Sequence, residues 1–248
     1  MREWLLGPVD EAAALDDLAG RGLNYDPARA PEDGRPEGRW HVDSVAAVIG
    51  QEPPGDPVAG GPWERARQLV GQYEFADARI LRAVYHDDRP LLGRDMLLEG
   101  RFLFLRFYLG VRITGVIDET RQTSAGRERV SGWCYQTLAG HLEQGRLSYE
   151  VIKNLGTGQI AFRVTGYSRR SRIPNPLVRW GFRVFGHWMQ QRFYRNVQTR
   201  MAVLVQKSQS GGVLPSPEIR PDGLVLAPSG VEPHPAERLA VGLLHPGA

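Results

Sequence analysis

The chain has 248 residues, 42% of them hydrophobic and 24% charged, with a formal net charge of +3. That length and apolar share suit one large domain with a real core, and no apolar run reaches the roughly 18 residues a membrane-crossing helix needs. The one cysteine, Cys134, rules out an internal disulfide, and the opening MREWLLGPVDEAAALDDLAG lacks the basic-then-apolar order of a secretory leader, so a cytoplasmic protein is expected.

In chain order, residues 8–20 predict a short helix. Pro8 suits its first turn, Asp10 and Glu11 its start and Gly20 its end, with Leu15 and Leu18 on one face. Residues 23–38, rich in Pro, Gly and Asp, read as an irregular connection. Residues 39–49 alternate as a strand, with Trp40, Val42 and Ser44 on one side and His41, Asp43 and Val45 on the other. A loop over 50–61 leads to a second helix that starts at Pro62 and carries Trp63, Ala66, Val70 and Tyr73 at helical spacing. Strands are predicted over 78–86, over 100–118 as two pieces broken at Gly110, and over 127–138, 146–154 and 158–168.

A long helix is expected from Pro176 to about Val205, capped by Asn175. Leu177, Trp180, Val184 and Trp188 mark one apolar stripe, and Phe182, Phe185, Met189 and Phe193 another. Such a helix must be covered on two sides. Arg179, Arg183, His187, Gln190 and Tyr194 make a polar stripe, read first as a solvated face. After Lys207 the Pro/Gly-rich sequence reads as a flexible tail, 208–248, in which 224–226 and 239–244 could dock. The elements add up to an α+β layout in which one sheet wraps one long helix.

Charge is placed unevenly. Residues 1–150 carry 18 basic and 24 acidic side chains, whereas residues 151–217 carry 11 basic and no acidic ones. Such a segment could meet an anionic ligand, a membrane surface through the basic final helix, or nucleic acid. It could equally pair with the acidic first part of the same chain. Arginines and aromatics are not interleaved as in a recognised nucleic-acid motif, so nucleic acid ranks last. His41, His86, His141 and His187 lack the paired spacing of a metal site, so no metal and no cofactor is expected. The familiar nucleotide and hydrolase motifs do not occur.

The stretch 132–151, GWCYQTLAGHLEQGRLSYEV, is the sharpest local pattern. With its Tyr135, Thr137, Leu138, Gly140, His141 and Gly145, with LNY at 23–25, PEGRW at 36–40 and PWERA at 62–66, the chain over roughly 10–205 resembles the domain-of-unknown-function family nineteen-ninety. It departs at Gln136, where the family usually has Gly, and at Arg146–Leu147, where an acidic pair is usual. The resemblance implies a START-like, helix-grip fold: a curved antiparallel sheet of about six to seven strands around the C-terminal helix, as one domain over 1–207 with an N-terminal helical extension. It implies no reaction.

Two uses of that scaffold are weighed. The first is binding of a small apolar or amphipathic ligand, lipid- or polyketide-like, in a cavity between sheet and helix. Tyr25, Trp133, Thr137, Phe162, Trp180, Val184 and Trp188 are its candidate contacts, and the sheet aromatics Phe102, Phe104, Phe107 and Tyr149 motivate it. The second is an enzyme with His141, Tyr135 and Glu143 as acid/base groups on a bound cyclic or carbonyl compound.

Overall fold

The computed structural model describes residues 9–31, 40–102, 105–230 and 241–247, except the side chains of 102, 177–178 and 181–189. Three α-helices stand in chain order, α1 (Glu11–Asp17), α2 (Pro62–Gly71) and α3 (Pro176–Gln209). The strands are β1 (His41–Gln51), β2 (Leu81–His86), β3 (Asp95–Phe102), β4 (Leu105–Thr123), β5 (Gly126–Thr137), β6 (Glu143–Asn154), β7 (Gln159–Arg170), β8 (Glu218–Ile219), β9 (Leu224–Ala227) and β10 (Val241–Leu244). They form one large sheet in the order β1-β7-β6-β5-β4-β3-β2-β9-β8, antiparallel along that path, with β10 parallel to the first part of β4. Register shifts in β1 and β4 mark bulges that bend it. The fold is thus α+β, a large curved antiparallel sheet with a C-terminal helix.

The ten strands correct the expected six to seven. Three of the extra strands come from the segment expected to be a flexible tail. β9 pairs with β2, β8 with β9, and β10 with β4, and all four side chains of β9 are buried. The predicted break at Gly110 is also absent, because β4 runs through it. A Cβ at Gly110 would sit 2.4 Å from Leu18 Cδ2, so this glycine gives the residues after α1 room to lie on the sheet.

The sheet is covered on both faces. On the inner face, α2 and the second half of α3 enclose Tyr73, Phe75, Trp133, Tyr149, Phe162, Val197, Met201 and Val205. Burying each large side chain there contributes about 1.5–3 kcal/mol. On the outer face, Leu15 and Leu18 pack with Val84, Leu97, Tyr108, Leu138 and Leu224.

α1 is capped by Asp10, which accepts the Ala13 N–H at 3.1 Å. α2 begins at Pro62, and the carboxylate of Glu52 accepts the Trp63 N–H at 2.9 Å and the Val58 N–H at 3.1 Å. The same carboxylate pairs at 2.7 Å with Lys153, whose ammonium also donates to Asp56 O at 2.8 Å. Both side chains are fully enclosed, and burial of such a pair is tolerable because the carboxylate accepts on both oxygens and the ammonium donates to two acceptors.

Candidate functional site

The pattern around 132–151 folds into a knot. Asn24 donates to Glu143 O at 2.8 Å and accepts from Thr137 Oγ1 at 2.7 Å, while Gln144 donates to Asn24 O at 2.6 Å. Thr137 Oγ1 also accepts the Gly145 N–H at 3.0 Å. A Cβ on Gly145 would stand 2.1 Å from Tyr167 O, so only glycine permits β6 to approach β7 this closely. Gly140 turns the loop with φ at +94°, and the C-terminal segment holds it from outside, Gly247 N–H donating to Gly140 O at 2.9 Å. His141 is 7% exposed, with Nδ1 at 2.9 Å from the Glu143 N–H. Nδ1 also lies 3.0 Å from Glu143 O, so this nitrogen faces both the N–H and the carbonyl of Glu143, accepting from one or donating to the other according to the tautomer. Burial lowers the His141 pKa to about 4, so the ring is neutral at pH 7.

The knot aims Glu143 at the inner face, where a cleft of about 190 Å³ opens between β1, β5, β6, β7 and α3. Asp43, Tyr135, Thr137, His141, Glu143, Gln190 and Tyr194 line it, with Leu81, Leu147 and Phe193 as apolar wall. Gln190 donates to Asp43 Oδ2 at 3.2 Å and to the Tyr194 hydroxyl oxygen at 3.3 Å, so the Tyr194 proton remains available to another acceptor. Neither Asp43 nor Glu143 forms an ion pair among the described residues. Burial, and then the neighbouring Asp43, push the Glu143 carboxyl up to about 7, against the weaker opposing pull of Arg170. Burial also raises the Tyr135 and Tyr194 phenols well above their ordinary range, so both are donors at any physiological pH.

The cleft thus brings together four sequence candidates, Tyr135, Thr137, His141 and Glu143. None of the other candidates with described side chains lines it. Trp133 and Phe162 are enclosed in the core, Trp133 donating to Val70 O at 2.9 Å. Tyr25 packs on Trp40 and bonds the Tyr167 hydroxyl at 3.1 Å. Trp180 is 66% exposed. Val184 and Trp188 lie outside the described side chains, as do Phe102, Phe104, Leu177, Phe182, Arg183, Phe185, His187 and Met189, and PEGRW falls outside the described residues except for Trp40. Sequence reasoning missed Asp43, Gln190 and Tyr194. Their only signals were the lone acid on the apolar side of β1 and the i, i+4 spacing of Gln190 and Tyr194, read as a solvated stripe.

A larger groove of about 590 Å³ lies between α2 and the β4–β5 pair. Among its lining groups the buried Gln72 Oε1 has no hydrogen-bond partner among the described residues, whereas others are paired. Arg67 donates to Ser131 Oγ at 3.2 Å, and Arg129 binds Asp118. Among the described residues no helix is long and apolar enough to cross a membrane, and no three His, Cys, Asp or Glu side chains gather as a metal site needs. The basic segment finds acids in the first part of the chain: Lys153 pairs with Glu52, Arg163 with Glu150 at 2.8 Å, and Arg200 lies 3.9 Å from Glu74.

Residues 24–200 match the family model described as Domain of unknown function (DUF1990). No curated protein matches the sequence. Among solved structures, the chain is similar to Ara h 8.0201 at 10% identity and TM-score 0.41, covering 68% of this chain and 99% of that one. It is similar to a Thalictrum flavum norcoclaurine synthase point mutant in complex with a transition-state analogue, at 8% identity and TM-score 0.40, covering 68% and 96%. A Staphylococcus aureus protein of unknown function follows at 10% identity and TM-score 0.38, covering 69% and 96%.

Proposed function

The chain belongs to the DUF1990 family, and from that premise we propose that it binds a small amphipathic molecule in the cleft under α3. The polar group of the ligand lies among Asp43, Glu143, Tyr135 and Tyr194, and its apolar part lies against Leu81, Leu147 and Phe193. The observation that carries this reading is that Asp43 and Glu143 form no ion pair among the described residues in a half-enclosed cleft, although Arg146 also lines it, since buried charges are otherwise paired. The core beneath α2 is filled by Tyr73, Phe75, Tyr149 and Phe162, so the ligand occupies the cleft and not the whole seam between sheet and helix. A volume of about 190 Å³ suits a compact ring compound, including a polyketide-like one, better than a long acyl chain.

A second reading makes the same cleft catalytic. Glu143, poised near 7, is matched to proton transfer at neutral pH, with the Tyr135 phenol beside it. In this reading His141 is a positioning residue. Its Nδ1 is occupied by the Glu143 backbone, and its low pKa suits it poorly to acid catalysis.

Native mass spectrometry of protein purified from cells tests the binding reading, alongside Leu147→Trp, which fills the apolar wall. The expected result is a small-molecule adduct on the unaltered chain that is lost in Leu147→Trp. An adduct retained in that variant would place the ligand elsewhere.

A further inference from the structure

The polar groups of the cleft under α3 are held in a fixed frame. Gln190 donates both protons of its amide, one to Asp43 Oδ2 at 3.2 Å and one to the Tyr194 hydroxyl at 3.3 Å, so α3 holds the carboxylate of β1 beside its own phenol. β6 brings Glu143, whose backbone is bonded by Asn24 and His141, and β5 brings Tyr135. Gly145 and Gly166 line the same space with backbone alone.

Two carboxyls and two phenols thus share one small space. Two arginines stand near them, Arg146 in the lining and Arg170 across the β6–β7 pair from Glu143. Both are exposed, so water screens them, and neither forms an ion pair with Asp43 or Glu143 among the described residues. Burial, and then Asp43, raise the Glu143 carboxyl against the weaker pull of Arg170. Two negative charges here are therefore disfavoured until a positive one joins them. A primary ammonium is such a charge. It carries three N–H donors and no acceptor, which matches two carboxylates and a phenol oxygen.

We propose that the cleft binds the protonated amino group of a compact amine, with Asp43 and Glu143 as its counter-ions and its hydrocarbon part against Leu81, Leu147 and Phe193. The proposal rests on the cleft reading and adds the charge of the ligand's polar group. An anion would be repelled by both carboxyls, and a neutral alcohol would fit the apolar wall but leave the carboxylates without a cation. Glu143 holds its proton up to about pH 7, so the ammonium binds as that proton leaves to solvent. The groups around it keep their charge meanwhile. His141 stays neutral, Tyr135 and Tyr194 stay protonated, and Arg146 and Arg170 are cationic as arginines always are.

The test titrates the full-length chain with benzylamine and with its neutral isostere benzyl alcohol, followed by ligand-observed NMR. At pH 8 benzylamine is expected to bind about 10- to 100-fold tighter than benzyl alcohol, the effect of one hydrogen bond between charged groups. At pH 5.5 that advantage should shrink about 10- to 30-fold, because Glu143 then keeps its proton. Glu143→Gln should lose both the advantage and its pH dependence, and Asp43→Asn should lose the advantage, with thermal unfolding checking that each variant is folded. Equal binding of the two probes by the unaltered chain would overturn the amine assignment and leave the cleft as a binding site. A preference for benzylamine that survives in both variants would overturn the assignment to these two carboxyls. Binding of neither probe would overturn the cleft reading as well.

Discussion

Glu52 and Glu143 are two glutamates at opposite ends of the inner face with opposite surroundings. Glu52 follows β1 and meets Lys153 and two backbone N–H groups. Burial raises its carboxyl, but these partners outweigh burial and hold it below the usual range. Glu143 opens β6, and its backbone is bonded by Asn24 and His141, yet its carboxyl faces Asp43 and is pushed up to about 7. One end of the sheet uses a carboxylate to close a structure. The other end holds a carboxyl group in place with no ion-pair partner among the described residues.

The largest effect should come from breaking the closed end. Lys153→Met leaves Glu52 buried without its cation and should cost about 3–5 kcal/mol in denaturant unfolding. The double variant Glu52→Gln, Lys153→Met should recover much of that loss, because no charge is then stranded. A smaller loss is expected at the knot. Asn24→Ala removes bonds to Glu143 O and Thr137 Oγ1 and should cost about 1–3 kcal/mol. Because it also loosens the backbone that aims Glu143, its carboxyl midpoint should fall towards the ordinary glutamate value near 4.3.

Taken per pH unit, the smallest effect is the pH dependence of stability. The Glu143 pKa is raised in the folded state, so its favourable contribution is complete below the unfolded value and is lost as pH rises through about 7. Stability should therefore decline between about pH 4.5 and 7 through this group, by at most about 1.4 kcal/mol per pH unit. Glu143→Gln should remove that component of the slope in thermal unfolding measured across the window, while Glu52→Gln should not.

The same contrast separates what the sequence could convey from what it could not. Pro62, Asn175–Pro176 and the alternation through β1, β5, β6 and β7 announced the main elements, and the LAGH stretch with Asn24 announced the knot. β3 was missed because Met96 and Leu98 face the inner core while Leu97 faces the outer one, which erases the alternation that marks a strand with one wet face. β9 is hidden for the same reason, as a short apolar run buried on both sides. At the site, Glu143 and Tyr135 were legible from the motif. Asp43, Gln190 and Tyr194 were not, because their role depends on which face of β1 meets which turn of α3.

The most direct test of the central claim is a carbon-13 NMR titration of the Glu143 carboxyl in the unaltered chain. A proton held to about pH 7 by burial and Asp43 is the predicted result, with Glu52 still ionised well below that pH. A Glu143 midpoint near 4.3, the value of an exposed glutamate, would mean that the carboxyl is solvated or paired, and it would contradict the account of the cleft.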